Sequence, residues 1–344
     1  MLLVLVDRRV ERSRIGDELE LGLFGVASLG VGLWLRQLGD WALSHEASIG
    51  LEPSRLEEHH RYEGCGWVDA GPMAIVVTLC GIAGYSLSDS SRVDPTLATQ
   101  ILMAAISERG SDAAGYCYRG PGVALAIHKQ RSGASRLLDS IRVPSKARQA
   151  LVHVRDYTKG HPSLEANNHP IRHGSVVGIH NGIIKNDEEI FAEYGFERAA
   201  PRMTVDSEAI FALMELERSS ARALDQLYGS MATAWMDERE PEVVYLARGM
   251  GRPLWVGEGR NELFFASTKS ALELVESYAG VSLVSREVSE GTFLCVSGGH
   301  VAATETFRPD MDFTEAPLPS VRAPEEHRSC LALLALLAAP AAAS

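Results

Sequence analysis

The chain has 344 residues, 46% hydrophobic and 23% charged, which is ordinary for a soluble globular protein with room for one large domain or two small ones. A net charge of -12 speaks against binding to nucleic acid or to an anionic membrane surface, since both draw on basic patches. The five cysteines (Cys65, Cys80, Cys117, Cys295 and Cys330) are odd in number, scattered and without CxxC spacing. They indicate neither a disulfide framework nor a zinc site, and a reducing cytoplasm is the expected setting.

Residues 1–79 mix glycine-rich apolar runs with the charged segment Arg55–Glu63 and show neither helical nor strand periodicity. Leu21–Leu35 is too short and glycine-interrupted for a membrane span, which takes about 20 apolar residues. Asp17, Glu18 and Glu20 dilute the arginines ahead of it and argue against a signal peptide. The texture changes at Ala74, where an apolar run leads into Cys80. Gly81–Leu87 then reads as a strand, and Pro95–Glu108 as a helix with proline near its start and Gly110 just past its end. Ala113–Tyr118 and Val123–His128 read as strands of a hairpin around Arg119-Gly120-Pro121-Gly122.

Ala150–Val154 and Val176–His180 read as further strands, separated by a polar loop from Arg155 to Gly174 whose length points to function. Helical stretches follow at Asn186–Tyr194, Ser207–Glu217 and Ala221–Tyr228. The remainder, Met231 to Phe307, is strand-rich and interrupted by one helix, Lys269–Tyr278. Many antiparallel strands with two helical groups suggest an α+β layered sandwich, helices outside stacked sheets. The Leu- and Ala-rich stretch from Leu331 to Ser344 reads as a low-complexity appendage.

Four separated stretches could carry chemistry. Cys80-Gly-Ile-Ala-Gly84 places a thiol at a strand start, where a cysteine alone is ordinarily a small buried hydrophobe. Arg109-Gly-Ser-Asp-Ala-Ala-Gly115 is a tight helix-to-strand turn that a capping glycine explains adequately. In His153-Val-Arg155-Asp-Tyr-Thr158-Lys-Gly160, followed by Asn167-Asn168-His169-Pro170, Arg155 leaves a strand end, where its planar guanidinium could grip a carboxylate. A surface ion pair with Asp156 or Glu165 is the plainer alternative. His180-Asn181-Gly182, also read at a strand end, could aim a side-chain amide and a backbone N–H at one oxygen, or could form a simple Asn-Gly turn.

Taken together, these stretches resemble class II glutamine amidotransferase domains of the N-terminal-nucleophile hydrolase superfamily, in particular the glutaminase half of glucosamine-6-phosphate synthase. The likeness runs from Cys80 to about Phe307 and includes Asp206-Ser207-Glu208, which matches the family's D-[TS]-E. It implies a four-layer αββα sandwich. Cys80 would be the nucleophile, with its own α-amine, of pKa about 7.7 to 8.0, as proton acceptor. Asn181 and Gly182 would form the oxyanion hole. Arg155 with Thr158 would hold the α-carboxylate of L-glutamine and Asp206 its α-ammonium, with Arg109 and His169 in support nearby. The implied reaction releases ammonia and hydrolyses a γ-glutamyl thioester, with no metal or organic cofactor. The chain departs from the family at Asp156, where the synthase carries a tryptophan, and at Lys159, where it carries a histidine.

The resemblance sets the expected organisation: an extension over 1–79, the amidotransferase domain over 80–308, and a low-complexity tail over 309–344. No synthase domain follows residue 308 in this sequence, so a stand-alone glutaminase is expected, with ammonia released or passed to a separate acceptor subunit. An α-amine base requires a free Cys80 nitrogen. Residues 1–79 are therefore expected to be removed as a propeptide or to reflect a misassigned start, the reading favoured here, with initiation at Met73 or at Leu79. Two other readings stay open: an amidohydrolase of the same superfamily acting on another amide, and a non-catalytic module that senses glutamine through Arg155 and Asp206.

Overall fold

In the computed structural model of the chain, residues 80–314 and 321–339 are described. The readings placed on residues 1–79, including Cys65, Leu21–Leu35 and the two proposed starts, lie outside them. The strand predicted at Gly81–Leu87 is β1, and every residue of it is buried. That is the signature of a strand covered by other layers on both faces. It sits in the middle of a seven-stranded antiparallel sheet ordered β11-β9-β10-β1-β4-β2-β3. Here β2 is Ala113–Gly120, β3 Val123–Gln130, β4 Gln149–Arg155, β9 Trp255–Glu258, β10 Glu262–Ala266 and β11 Val284–Glu287. The second sheet is six-stranded and antiparallel, ordered β13-β12-β8-β7-β6-β5. It comprises β5 (Ile171–His173), β6 (Val176–Ile184), β7 (Gly229–Asp237), β8 (Val243–Arg248), β12 (Thr292–Ser297) and β13 (His300–Thr306).

The period of two along each strand divides the core into three layers. Ile82 and Leu151 of the first sheet meet Val177, Ile179, Ala232 and Leu246 of the second between the sheets. The opposite face of the first sheet, with Ala83, Tyr85 and Val152, is covered by helices α1 (Pro95–Ile106), α4 (Lys269–Ala279) and α5 (Pro324–Leu337). The outer face of the second sheet is covered by α2 (Asp187–Tyr194) and α3 (Glu208–Leu216). The fold is thus an αββα sandwich. Among the described residues no helix is long and apolar enough to cross a membrane, and Cys80, Cys117, Cys295 and Cys330 are all unpaired.

Three sequence expectations need correction. The strand placed at Val176–His180 continues to Ile184, with Asn181 opposite Ala232 and Gly182 opposite Met231, so Asn181-Gly182 is neither a turn nor a strand end. Pairing with β7 along its whole length holds the strand through the glycine. The stretch Ala221–Tyr228 is a 3-10 segment over Ala221–Gln226. Most consequentially, part of the expected low-complexity tail is α5. Proline occupies its first turn with Glu325 and Glu326, both suited to a helix N-terminus. Cys330 and Leu334, one turn apart, are fully buried. The Leu and Ala bias that suggested low complexity is helix-forming composition with an i, i+4 apolar stripe.

Candidate active site

The strand pairings bring the predicted residues to one end of the space between the sheets. Gly81 lies opposite Val154, which puts Cys80 across from Arg155 at the end of β4. Because side chains alternate, Cys80 and Arg155 share the inward face of Ile82 and His153. On the facing strand Asn181 shares the inward face of Val177 and Ile179, and β1 and β4 lie against β6 across the gap. Asn181 is completely buried, yet neither its amide nitrogen nor its amide oxygen has a hydrogen-bond partner among the described residues. A buried amide without partners costs about 1 to 3 kcal/mol, so one aimed into a site is suited to an incoming polar group. Gly182 follows at φ 145°, and a Cβ there would run into the carbonyl oxygen of Ser230 and the ring of His180; only glycine fits.

Cys80 is half-buried, and its Sγ donates to the backbone oxygen of Asp156 at 3.5 Å. Desolvation pushes the thiol up to about 11, against the pull of Arg155, of the Asp156 backbone bond and of Arg252. The thiol therefore rests protonated at neutral pH and needs a proton acceptor to attack. The buried imidazoles are poor acceptors, because desolvation brings His153 and His180 down to about 3. His169 is stacked on His153 at 4.1 Å and held well below its ordinary value, first by desolvation and then by His153 and Arg155.

Arg155 is buried, and its guanidinium donates to Asn168 Oδ1 at 2.6 Å, to the Lys159 carbonyl at 2.8 Å and to the Gly160 carbonyl. Its charge is felt by Cys80 and it feels Asp206 in turn, so these three predicted residues form one electrostatic group. Asp206, just ahead of α3, accepts the Ile184 N–H at 2.7 Å. That bond ties the carboxylate to the strand that carries Asn181 and Gly182. Burial raises its pKa to about 6, partly countered by the Ile184 bond. Thr158 is half-buried in the loop after β4. Arg109 is buried with its side chain against Gly81, and interacts electrostatically with Cys80.

Two features escaped the sequence reading. Arg252, after β8, is buried, donates from Nε to Ser230 Oγ at 3.2 Å and pulls on the Cys80 thiol. A charged residue directly after the Gly249-Met250-Gly251 turn was the only local hint. Lys159 binds both carboxylate oxygens of Asp187 at 2.7 Å and reaches Glu188 at 3.1 Å, fastening the arginine loop to the start of α2. Among the described residues no group of three or more His, Cys, Asp or Glu side chains is placed to hold a metal ion.

Comparison with known proteins adds an independent view. Residues 157–274 match the family described as "Glutamine amidotransferase domain", a span that includes Asn181, Gly182 and Asp206 and starts after Cys80. The glutamine–fructose-6-phosphate aminotransferase (isomerizing) of Symbiobacterium thermophilum is 31% identical over 205 residues, 56% of this chain and 32% of that protein. Its counterpart in Methanothermobacter thermautotrophicus is 32% identical over 210 residues, 56% of this chain and 34% of the relative. The matches thus span about a third of the length of these curated relatives. Among solved structures, the glutamine phosphoribosylpyrophosphate amidotransferase of B. subtilis superposes with a TM-score of 0.53 at 20% identity. That match covers 66% of this chain and 49% of the other.

Proposed function

This chain carries a class II glutamine amidotransferase domain of the N-terminal-nucleophile fold, and from that premise we propose that it hydrolyses the side-chain amide of L-glutamine, with Cys80 as nucleophile. The observation that carries the reading is the fully buried amide of Asn181, without a partner among the described residues, on the face opposite Cys80 and Arg155. With Gly182 beside it, it offers two donors where a tetrahedral oxyanion would form.

The thiol proton passes to the α-amine of Cys80 as Sγ bonds to the amide carbon. That amine, at about 7.7 to 8.0, is a far better acceptor near neutral pH than imidazoles held near 3. The same proton leaves with ammonia when the C–N bond breaks. Water then adds to the thioester and glutamate departs with the thiol restored. Both tetrahedral intermediates use Asn181 and Gly182. Arg155 and Thr158 take the substrate α-carboxylate, Asp206 takes the α-ammonium, and Arg109 and His169 support the pocket walls. Holding both ends of the amino acid leaves the side-chain amide to reach the sulfur. The mechanism requires Cys80 to be freed from the residues ahead of it. The ammonia is either released or delivered to an acceptor on another subunit or domain.

The test is ammonia and glutamate release by protein made from its own gene, with glutamine, asparagine and simple acyl amides compared. Turnover of glutamine alone, abolished by Cys80→Ala with glutamine binding retained, is expected. Preferential turnover of another amide favours the wider amidohydrolase reading, and binding without turnover favours a sensing module.

A further inference from the structure

The C-terminal segment expected to be an inert tail is fastened to both turns that frame Cys80. Arg322 and Ala323 donate their backbone N–H groups to the same carbonyl, Glu108, at 2.8 and 2.9 Å. Glu108 lies in the 3-10 turn Ser107–Arg109 that ends α1, and the Arg109 side chain rests on Gly81. The Arg322 side chain crosses to the other turn and pairs with Asp156 Oδ2 at 3.1 Å. Asp156 is the residue whose backbone oxygen receives the Cys80 thiol. The two turns also touch directly, since a Cβ on Gly110 would collide with the Arg155 carbonyl and the Asp156 nitrogen.

Behind Arg322 the segment is anchored firmly. The His327 ring meets Ser107 Oγ at 3.1 Å, Glu326 accepts the Ser135 N–H at 2.6 Å, and Cys330 and Leu334 are buried under α1. The arginine thus reaches the active-site rim from a rigid base rather than from a loose end.

We infer that Arg322 is a positioning residue for the nucleophile, acting through Asp156: it fixes the carbonyl that holds the Cys80 thiol and the strand end that presents Arg155. An ordinary surface ion pair would be interchangeable with water. This one is combined with two backbone bonds that converge on the neighbouring turn, so its loss frees the Asp156 backbone on one side of the sulfur without unseating α5. The catalytic consequence rests on the glutaminase reading above, while the effect on the thiol does not.

The experiment compares wild type, Arg322→Gln, Arg322→Lys and Asp156→Asn, each made from its own gene, by two readouts, the rate of Cys80 alkylation by iodoacetamide and the steady-state constants for glutamine. Arg322→Gln and Asp156→Asn should each change the alkylation rate by about threefold or more, the scale of a single partly exposed ion pair. They should raise KM for glutamine more than they lower kcat, because Arg155 shares the displaced strand end. Arg322→Lys should recover most of both effects, and the double variant Arg322→Gln/Asp156→Asn should be no worse than either single one. Alkylation and KM of Arg322→Gln both within error of wild type would overturn the inference. If the wild type turns over no glutamine while alkylation still responds to Arg322→Gln, the positioning role stands and the glutaminase reading falls.

Discussion

The two ends of β4 carry the same chemistry to opposite purposes. At the Gln149 end, the buried guanidinium of Arg119 on neighbouring β2 donates to the Gln149 side chain and to the carbonyls of Asp237, Val243 and, at 3.0 Å, Glu240. That arginine stitches one sheet to the turn between β7 and β8 of the other, and every one of these contacts is internal to the fold. At the other end, among the described residues, Arg155 donates only to its own loop, Asn168 included, while across the gap the Asn181 amide has no partner. One end is closed by hydrogen bonds; the other keeps donors in reserve beside a thiol and a carboxylate. Polar burial by itself does not mark a site. Burial with unspent hydrogen-bonding capacity does, because the fold bears a cost there that a ligand can relieve.

Breaking each end should therefore damage a different property. Asn181→Ala removes an oxyanion donor and should cut kcat roughly 100- to 1,000-fold. The urea midpoint should stay close to wild type, since no internal hydrogen bond is lost. Arg119→Met should do the reverse, losing about 3 kcal/mol of stability by leaving several buried carbonyls without a donor, with kcat preserved in the folded fraction. Equal stability losses in the two variants would erase the distinction between the ends.

A smaller effect follows from Asp206. Its folded-state pKa is raised to about 6, so the carboxylate that would hold the glutamine ammonium is ionised above that value and neutral below it. Protonation of the Cys80 amine already lowers kcat/KM about tenfold per pH unit below about 7.7 to 8.0. Asp206 should add a second acid limb below about 6 that steepens the fall to about a hundredfold per unit, with the added fall carried by KM. In Asp206→Asn this limb should vanish along with most activity.

The smallest effect is on stability and has the opposite origin. His153 and His180 are lowered to about 3 in the fold, so below about 6.5 the unfolded chain binds the protons and stability is lost as pH falls. Asp206, raised in the fold, contributes stability on protonation and offsets part of that loss. The net loss between pH 6.5 and 5.5 should be about 1 kcal/mol, read as a drop in Tm. His180→Asn should flatten it; a Tm unchanged by acidification in wild type would argue that these imidazoles are not buried neutral.

Much of the candidate site was legible only through the resemblance of the stretches taken together, since each of them has a plainer reading alone. Cys80 sits at a strand start, Arg155 at a strand end, Asp206 ahead of a helix, and the glycine at 182 tolerates a backbone angle that other residues resist. The strand at Gly81–Leu87 and the helix at Pro95 were clear, the many antiparallel strands with two helical groups suggested a layered sandwich, and the resemblance implied its four layers. What stayed hidden depends on pairings between distant segments. Arg252 meets Ser230 from 22 positions away, and Arg322 meets Asp156 from 166; no spacing rule connects them. The stretch around Cys330 failed for another reason. A Leu/Ala run is equally consistent with disorder and with a good helix, and only the surface of α1 decides which. Asn181-Gly182 has the local character of a turn, and β7 supplies the pairing that overrides this preference and carries the strand through it.

The central claim is that Cys80 attacks glutamine with its own amine free, and covalent trapping reads it directly. Active protein made from its native gene would be treated with the glutamine-like diazo ketone 6-diazo-5-oxo-L-norleucine, digested, and mapped by mass. The predicted result is a single adduct on a peptide that begins at Cys80, formed in step with the loss of ammonia release. An adduct on another residue, or active enzyme that still carries residues ahead of Cys80, would contradict the claim.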